Sequence, residues 1–504
     1  MHISAGCPRR LSRAGWPRAV YSPACDHAQP VADTAWPKRW WWAAAGGLTL
    51  LYAAGFNGRW RITADGAGIV NQARRLRGEA DALLAADPRT PPGLASCIAA
   101  VGGTPGAATG LLMLGFAAAA LWLTHRVVRV NHGPRLAAAA ALLLATNRHF
   151  YETAFGLLTE LPFTVGLLLL LWGHERRLRP GGAAAWTLIG VGGVWMLSFR
   201  SVGAVVVAAY VVAELGAFLV KPGRGRGRAL VAVGAVMAAG VVVLLLMPAV
   251  RMDAVILWHA TTGVTAAGLG ANVQQLVTES LPEAVFGQDV PPALAWPLSL
   301  GVLASGLVLL RVRRLWGVLW LAFVAVWVVF LNDARYVLPL LPLLLVGGGR
   351  LVGGVTQHGP RWAGLAVRRA AVGLLVASNL VGIGFVVAEQ RAGDGFYTAY
   401  RSGKYAASVE LAEALRREAS ADAVLLTDRP LRAELAALSR RAVIERPAAF
   451  PAGAERWLLR PYTGDPWPGS VGPAVAESLD LRSGETWSLH RLGAVESEPE
   501  NELR

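Results

Sequence analysis

Apolar runs of roughly 17–22 residues, long enough to cross a bilayer core, recur along the first four-fifths of the chain with short polar links between them. Read by hydropathy they predict about eleven membrane spans, near 41–57, 106–124, 136–147, 154–172, 183–199, 201–220, 229–248, 294–310, 315–331, 335–349 and 368–388. After residue 391 the pattern changes. Leu411 and Leu415 share one helical face, with Glu410, Glu413, Arg416 and Arg417 elsewhere. Short apolar runs follow at 423–427, 442–445, 456–459 and 486–489, separated by Pro, Gly and Asp, and predict a small α/β domain. The expected fold is a polytopic α-helical membrane protein with that α/β domain at its C-terminus. Its parts are a disordered basic tail (1–39), a transmembrane region (40–390) with outer loops at 58–93 and 249–293, and the C-terminal domain (391–504).

Composition agrees with this reading. Of the 504 residues 54% are hydrophobic and 16% charged, whereas a soluble domain carries about a quarter charged residues. The net charge of +15 is not a nucleic-acid footprint, because the basic residues sit in short loops rather than along one stripe. Arg and Lys concentrate in the tail before Trp40 and in the loops 125–135, 173–180, 221–228, 311–314 and 350–369, which are alternate loops. By the positive-inside rule those loops and the N-terminus face the cytoplasm, and an odd span count leaves the C-terminal domain outside. The first outer loop is the exception, mixing Arg59, Arg61, Arg74, Arg75, Arg77 and Arg89 with acids. The tail has no apolar core and reads as cytoplasmic rather than as a signal peptide. Trp40, Trp41 and Trp42 mark a membrane interface. Cys7, Cys25 and Cys97 have neither metal-ligand nor disulfide spacing.

Few residues remain that can do chemistry. Asp65 follows the first span and precedes a helix expected over 69–77 and ending at Gly78. It reads either as a helix-capping acid or as a carboxylate at the outer surface, placed to act as a base. Glu160 is expected about two turns into the fourth span, with Pro162 loosening the helix there. An acid at a helix centre in lipid costs about 2.5–3.5 kcal/mol, so such residues usually face a cavity. Arg200 lies between two spans and Arg335 opens another, both on the outer side, and guanidinium forks match phosphate oxygens. The bland reading of Arg335 is a salt bridge to Asp333. Arg148 and His149 lie in a neighbouring outer loop and are candidate substrate contacts. His259 and the loop 274–292 belong to the long connection before the eighth span and name no substrate.

Taken in order, these features resemble the GT-C superfamily of integral-membrane glycosyltransferases, in the bacterial branch related to protein O-mannosyltransferases and lipid A aminoarabinose transferase. The resemblance runs from Trp42 to Arg350. It rests on Asp65 before a loop helix ending in Gly, on Thr90-Pro91-Pro92-Gly93, on Glu160-Leu161-Pro162, on Arg200, and on Arg335-Tyr336 followed by Pro339 and Pro342. The chain departs from the pattern at Gly66 and Ile69, where many members carry an acid and an aromatic.

The resemblance implies transfer of a sugar from a polyprenyl-phosphate donor to an acceptor hydroxyl of a lipid, glycan or protein, in the outer half of the inner membrane. Asp65 would be the base, with Glu160 as a second catalytic carboxylate that positions the acceptor, orients Asp65 or helps hold a cation. Arg200, Arg335 and Tyr336 would hold the donor phosphate, and Pro92 would join the substrate contacts. A divalent cation at Asp65 and Glu160 is left open. The rivals are a lipid or sugar transporter or flippase, and an inactive relative that binds polyprenyl lipid. The absent repeat symmetry and the outer placement of the candidates count against transport.

Overall fold

The computed structural model describes residues 38–56, 64–79, 91–103, 106–177, 183–220, 234, 265–329, 333–355, 361–391, 406–427, 432–444, 454–460, 471–480 and 485–493. The expected tail up to residue 37, the seventh span near 229–248 apart from residue 234, and His259 lie outside them. Among the described residues, four helices are long and apolar enough to cross a membrane: Ala107–Ala145, Pro292–Val312, Ala334–Gly354 and Arg369–Ala388. Shorter apolar helices run over Ala43–Gly55, Ala184–Phe199, Gly203–Ala217 and Arg314–Val329.

The membrane region begins with α1 (Lys38–Gly55), α2 (Ala64–Leu76) and α3 (Gly93–Ala100). Helix α2 starts five residues earlier than expected, so Asp65 lies in its first turn rather than before it. The expected second and third spans form one element, α4 (Ala107–Ala145), broken by non-helical backbone at Gly133 (φ 81°), just before Pro134. A left-handed φ costs Gly little. The expected fourth span is two helices, α5 (Arg148–Phe155) and α6 (Glu160–Arg177), with irregular chain between them. Glu160 therefore opens a helix instead of sitting two turns inside one. Pro162 falls in the first turn, where its missing N–H would have had no helical partner, so it does not loosen the helix.

Helices α7 (Ala183–Phe199) and α8 (Gly203–Val220) follow. The described part of the outer connection expected as a loop, residues 265–293, is largely helical, with α9 (Ala266–Gln275), a π-helical turn (Leu276–Ser280) and α10 (Leu281–Phe286). Next come α11 (Pro292–Val312), α12 (Arg314–Val329), a 3₁₀ segment (Ala334–Leu340), α13 (Leu341–Val355) and α14 (Arg361–Arg391).

Helices α6 and α7 pack along a glycine seam. A Cβ on Gly192 would come 2.6 Å from the Leu170 backbone nitrogen, and one on Gly173 would come 2.7 Å from the Ala185 carbonyl. Small residues let membrane helices approach this closely. The seam brings the first residue of α6, Glu160, level with the turn after α7, Arg200. Gly192→Ala forces backbone apart and should lower the thermal midpoint by several degrees, since overpacking costs about 1–3 kcal/mol. Gly190→Ala, on the same helix with open space around it, should leave the midpoint unchanged in a detergent melting assay.

All described strands lie after residue 423 in a five-stranded sheet of order β2-β1-β3-β5-β4. They are β1 (Val424–Leu426), β2 (Ala442–Ile444), β3 (Arg456–Arg460), β4 (Val471–Asp480) and β5 (Glu485–Leu492). β1 runs parallel to β2 and β3, while β5 pairs antiparallel with β3 and β4. Helices α15 (Ala406–Glu418) and α16 (Arg432–Ser439) bury Leu411, Leu415 and Leu435 with Trp457, Trp487 and Leu489 of the sheet. Helix α16 rests on α2, where Arg74 Nη1 donates to the Ala436 carbonyl. The sheet region is thereby tied to the helix that carries Asp65.

Candidate active site

Glu160 is 2% exposed, and every cation near it arrives on a different element. Arg200, held at the end of α7 by its own N–H to the Met196 carbonyl, places Nη1 2.8 Å from Glu160 Oε1. Arg335 comes from the 3₁₀ segment, whose first turn is capped by the Asp333 carboxylate accepting from the Arg335 N–H. The tight i→i+3 turn, with Pro339 inside it, aims the guanidinium back at α6. Arg335 Nε lies 3.8 Å from Glu160 Oε1 and 2.9 Å from Asp333 Oδ2, and its Nη2 donates to Asp65 Oδ2 at 3.2 Å. One guanidinium thus bridges the exposed acid on α2 and the buried acid on α6. The 2.9 Å contact to Asp333 is an ion pair rather than an aligned hydrogen bond, since Nε has no hydrogen-bond partner.

The Tyr336 ring lies beneath both cations, 4.6 Å from the Arg200 guanidinium carbon and 5.1 Å from that of Arg335. Stacking on an aromatic face holds guanidinium planes without consuming their donors. Glu160 Oε2 is buried without a hydrogen-bond partner. An orphaned carboxylate oxygen in lipid-depth surroundings is costly unless a ligand engages it.

Beside these groups opens a cavity of about 220 Å³, lined by Phe163, Val202, Phe323, Val326, Trp327 and Pro339, with Arg200 and Tyr336 at its polar end. Such a space accepts an apolar chain whose charged end meets the guanidiniums.

Pro92 caps α3 without a side-chain hydrogen bond, and the adjoining Gly93 packs so closely on the Ser198 carbonyl that a Cβ would not fit. The Pro-Pro-Gly segment therefore abuts the turn that presents Arg200. Arg148 and His149 form a neighbouring cluster. Arg148 pairs with Glu152 at 3.0 Å and donates to the Gly287 carbonyl. His149 lies between Glu152 (3.6 Å) and Glu283 (3.5 Å). Burial pushes the Glu283 carboxyl above its ordinary value, with His149 opposing and Asp289 and Asp333 reinforcing the shift. Helix α10 and α5 both pack on the 3₁₀ segment, so this cluster adjoins the Arg335 group. Neither Glu152 nor Glu283 stood out in the sequence. The one available signal was the i, i+4 spacing of Arg148 and Glu152.

The arrangement does not suit the divalent cation left open at Asp65 and Glu160. Guanidiniums occupy the space between the two acids, and among the described residues no group of three or more His, Cys, Asp and Glu could hold a metal ion.

No protein-family model matches the chain, and no curated protein matches it. Solved structures do. ArnT from Cupriavidus metallidurans in its apo state is 13% identical, the match covering 90% of this chain and 98% of that one with a TM-score of 0.55. The same protein bound to undecaprenyl phosphate gives 14% identity, the same coverage and a TM-score of 0.56. The archaeal oligosaccharyltransferase AglB from Archaeoglobus fulgidus, in complex with an inhibitory peptide and a dolichol-phosphate, is 13% identical over 82% of this chain and 65% of that one, at 0.52. At these identities the likeness is one of fold. ArnT and AglB are GT-C proteins, and the present chain is a polytopic membrane protein with the GT-C fold.

Proposed function

We propose that the chain is a glycosyltransferase that moves a sugar from a polyprenyl-phosphate donor to an acceptor hydroxyl at the outer face of the inner membrane. The observation that carries this reading is the Arg335 bridge between Asp65 and Glu160, set beside an apolar cavity with Arg200 at its mouth. The neighbours solved with undecaprenyl phosphate and with a dolichol-phosphate support the donor class.

In this reading the donor phosphate lies against Arg200 and Arg335, and the first apolar units of its chain fill the cavity against Phe163, Phe323 and Trp327. The acceptor oxygen attacks the anomeric carbon as the bond from that carbon to the phosphate oxygen breaks. Its proton passes to Asp65, which is 59% exposed at its side chain and stays within reach of water. The electron pair leaves with the phosphate, a monoester whose second pKa is near 6, so no general acid is needed. The guanidiniums stabilise the growing negative charge. Attack opposite the phosphate inverts the anomeric centre.

Arg335 cannot serve the donor and hold Asp65 equally. Donor phosphate competes for its Nη2 and loosens the Asp65 contact, freeing the carboxylate to accept a proton. Glu160, fixed by Arg200, then keeps Arg335 in place and offers Oε2 to a substrate hydroxyl. Arg148, His149 and Pro92 lie where the acceptor or the donor sugar would approach.

The test is to incubate purified protein with a panel of polyprenyl-phosphate sugars and measure released polyprenyl phosphate together with labelled sugar in a new covalent product. Release with transfer is expected for one donor of the panel. Passage of labelled lipid across a bilayer without release would remove the assignment. Val202→Trp, which fills the cavity, should raise the KM for a long-chain donor by about tenfold or more with kcat largely kept, as loss of uniform binding does.

A further inference from the structure

A second polar cluster lies at the opposite end of the same helices. Glu160 begins α6 and Glu175 nearly ends it, fifteen residues or about 22 Å further along. Arg335 and Arg350 stand fifteen residues apart on the continuous 3₁₀–α13 element. At this far end Glu175 is 2% exposed, and Arg313, from the turn between α11 and α12, reaches it at 3.8 Å. Arg313 also donates to Asn131 Oδ1, and Arg350 Nη2 donates to His132 Nδ1 at 3.0 Å. The chain breaks at Gly133 immediately after these two residues, and the His132 ring meets Trp316 edge-on at 5.8 Å.

The hydrogen-bond accounting at this cluster is lopsided. A guanidinium only donates, so His132 Nδ1 accepts and the ring proton is assigned to Nε2. That Nε2 and the neighbouring Asn131 Nδ2 are both buried donors with no acceptor, set against one buried acceptor without a donor, Glu175 Oε1. Two guanidiniums flank them, Arg313 one-third exposed and Arg350 exposed. Among the described residues Glu175 is the one acid paired with these guanidiniums, through Arg313. Donors and positive charge exceed acceptors, which is the composition of an anion site.

Depth is marked independently. On α4 and α6 the Arg126 guanidinium stacks on Trp122 and that of Arg176 on Trp172, each at 5.2 Å, and the two indoles meet edge-on at 5.4 Å. Trp and Arg paired in this way sit at the headgroup level of a bilayer. Asn131 and Glu175 lie within about two turns of these pairs along their own helices.

We propose that this end of the bundle carries a second phosphate site, distinct from the Glu160 centre, in which Arg313 and Arg350 clamp a phosphate and Asn131 and His132 donate to it. The chemistry fits the headgroup phosphate of a lipid in the adjoining leaflet, or free phosphate. Its occupation would tie α4, α6, α11 and α13 together at the end remote from the donor cavity. The proposal is independent of sugar transfer and is read by binding alone.

The full-length protein in detergent is titrated with phosphatidic acid and, as a neutral control, diacylglycerol, with lipid retention followed by native mass spectrometry. Phosphatidic acid should be retained and diacylglycerol not. Arg350→Gln, an exposed change that leaves the Arg313–Glu175 pair intact, should weaken retention about fivefold, and Arg313→Gln with Arg350→Gln about 30-fold, from the usual worth of a basic group at an anionic surface. Arg369→Gln, an exposed basic position outside the cluster, should change nothing. Inorganic phosphate added to the complex distinguishes the sources. Displacement of the lipid supports a site that accepts the free anion, and continued retention supports the lipid headgroup. Unchanged retention in both cluster variants, or an equal loss in Arg369→Gln, overturns the proposal and leaves the cluster as a structural pin.

Discussion

Asp65→Asn removes sugar transfer, with kcat falling about 10²–10⁴-fold, the usual contribution of a positioned general base, while the protein inserts, extracts and elutes as before. Asparagine keeps the size of the side chain, and its Oδ1 can still accept from Arg335 Nη2, which now donates to Asp65 at 3.2 Å. The Glu160–Arg200 pair, at 2.8 Å, does not involve Asp65 at all. What is lost is the capacity to take a proton. Single-turnover transfer by purified variant and wild type, compared at saturating donor, checks this. Near-normal turnover by the variant would remove Asp65 from the mechanism.

Arg335→Ala is the second large effect, and it differs in kind. The change takes the shared partner from Asp65, Asp333 and the Tyr336 ring, and leaves buried Glu160 with Arg200 alone. Truncating one member of a buried charge pair costs about 2–5 kcal/mol, so donor affinity should fall about 30- to 5000-fold. Acceptor affinity should fall much less. Arg335→Lys should recover part of the loss, because it restores charge but not the planar fork. Equal losses for donor and acceptor, with no recovery by Lys, would mean that Arg335 only holds the fold together.

The sequence made the membrane class and several helices readable because both rest on local composition. The seventeen residues of α7 coincide with the expected span. The strands β1, β2, β3 and β5 fall on the short apolar runs. Strand β4 was missed because Val471–Asp480 contains Gly and Pro and shifts register twice against β5, which erases the period-two signal. The break between α5 and α6 was missed for the opposite reason: residues 156–159 are apolar enough to look like continuing helix. Its consequence matters, since Glu160 is buried at a helix start rather than mid-span.

Asp65, Glu160, Arg200 and Arg335 were visible individually as charges out of place in apolar surroundings, and in the structure they meet. Their pairing was not legible. The sequence offered Asp333 as the bland partner of Arg335, and Asp333 does pair with it, but so do Asp65 and Glu160 from elements 270 and 175 residues away. Long-range pairing depends on the glycine seam of α6 and α7 and on the 3₁₀ turn, and neither has a strong sequence signature. Glu152 and Glu283 were lost among ordinary surface acids because nothing local reveals that His149 lies between them.

The central claim is that two guanidiniums and two acids surround one donor phosphate at the mouth of the apolar cavity. A density map of the full-length protein with bound polyprenyl phosphate tests it most directly. The account predicts the phosphate within hydrogen-bond reach of both Arg200 and Arg335, the lipid's first units against Phe163 and Trp327, and the Asp65–Arg335 contact lengthened. Phosphate density away from both arginines, with their contacts to Glu160 and Asp65 undisturbed, would contradict it.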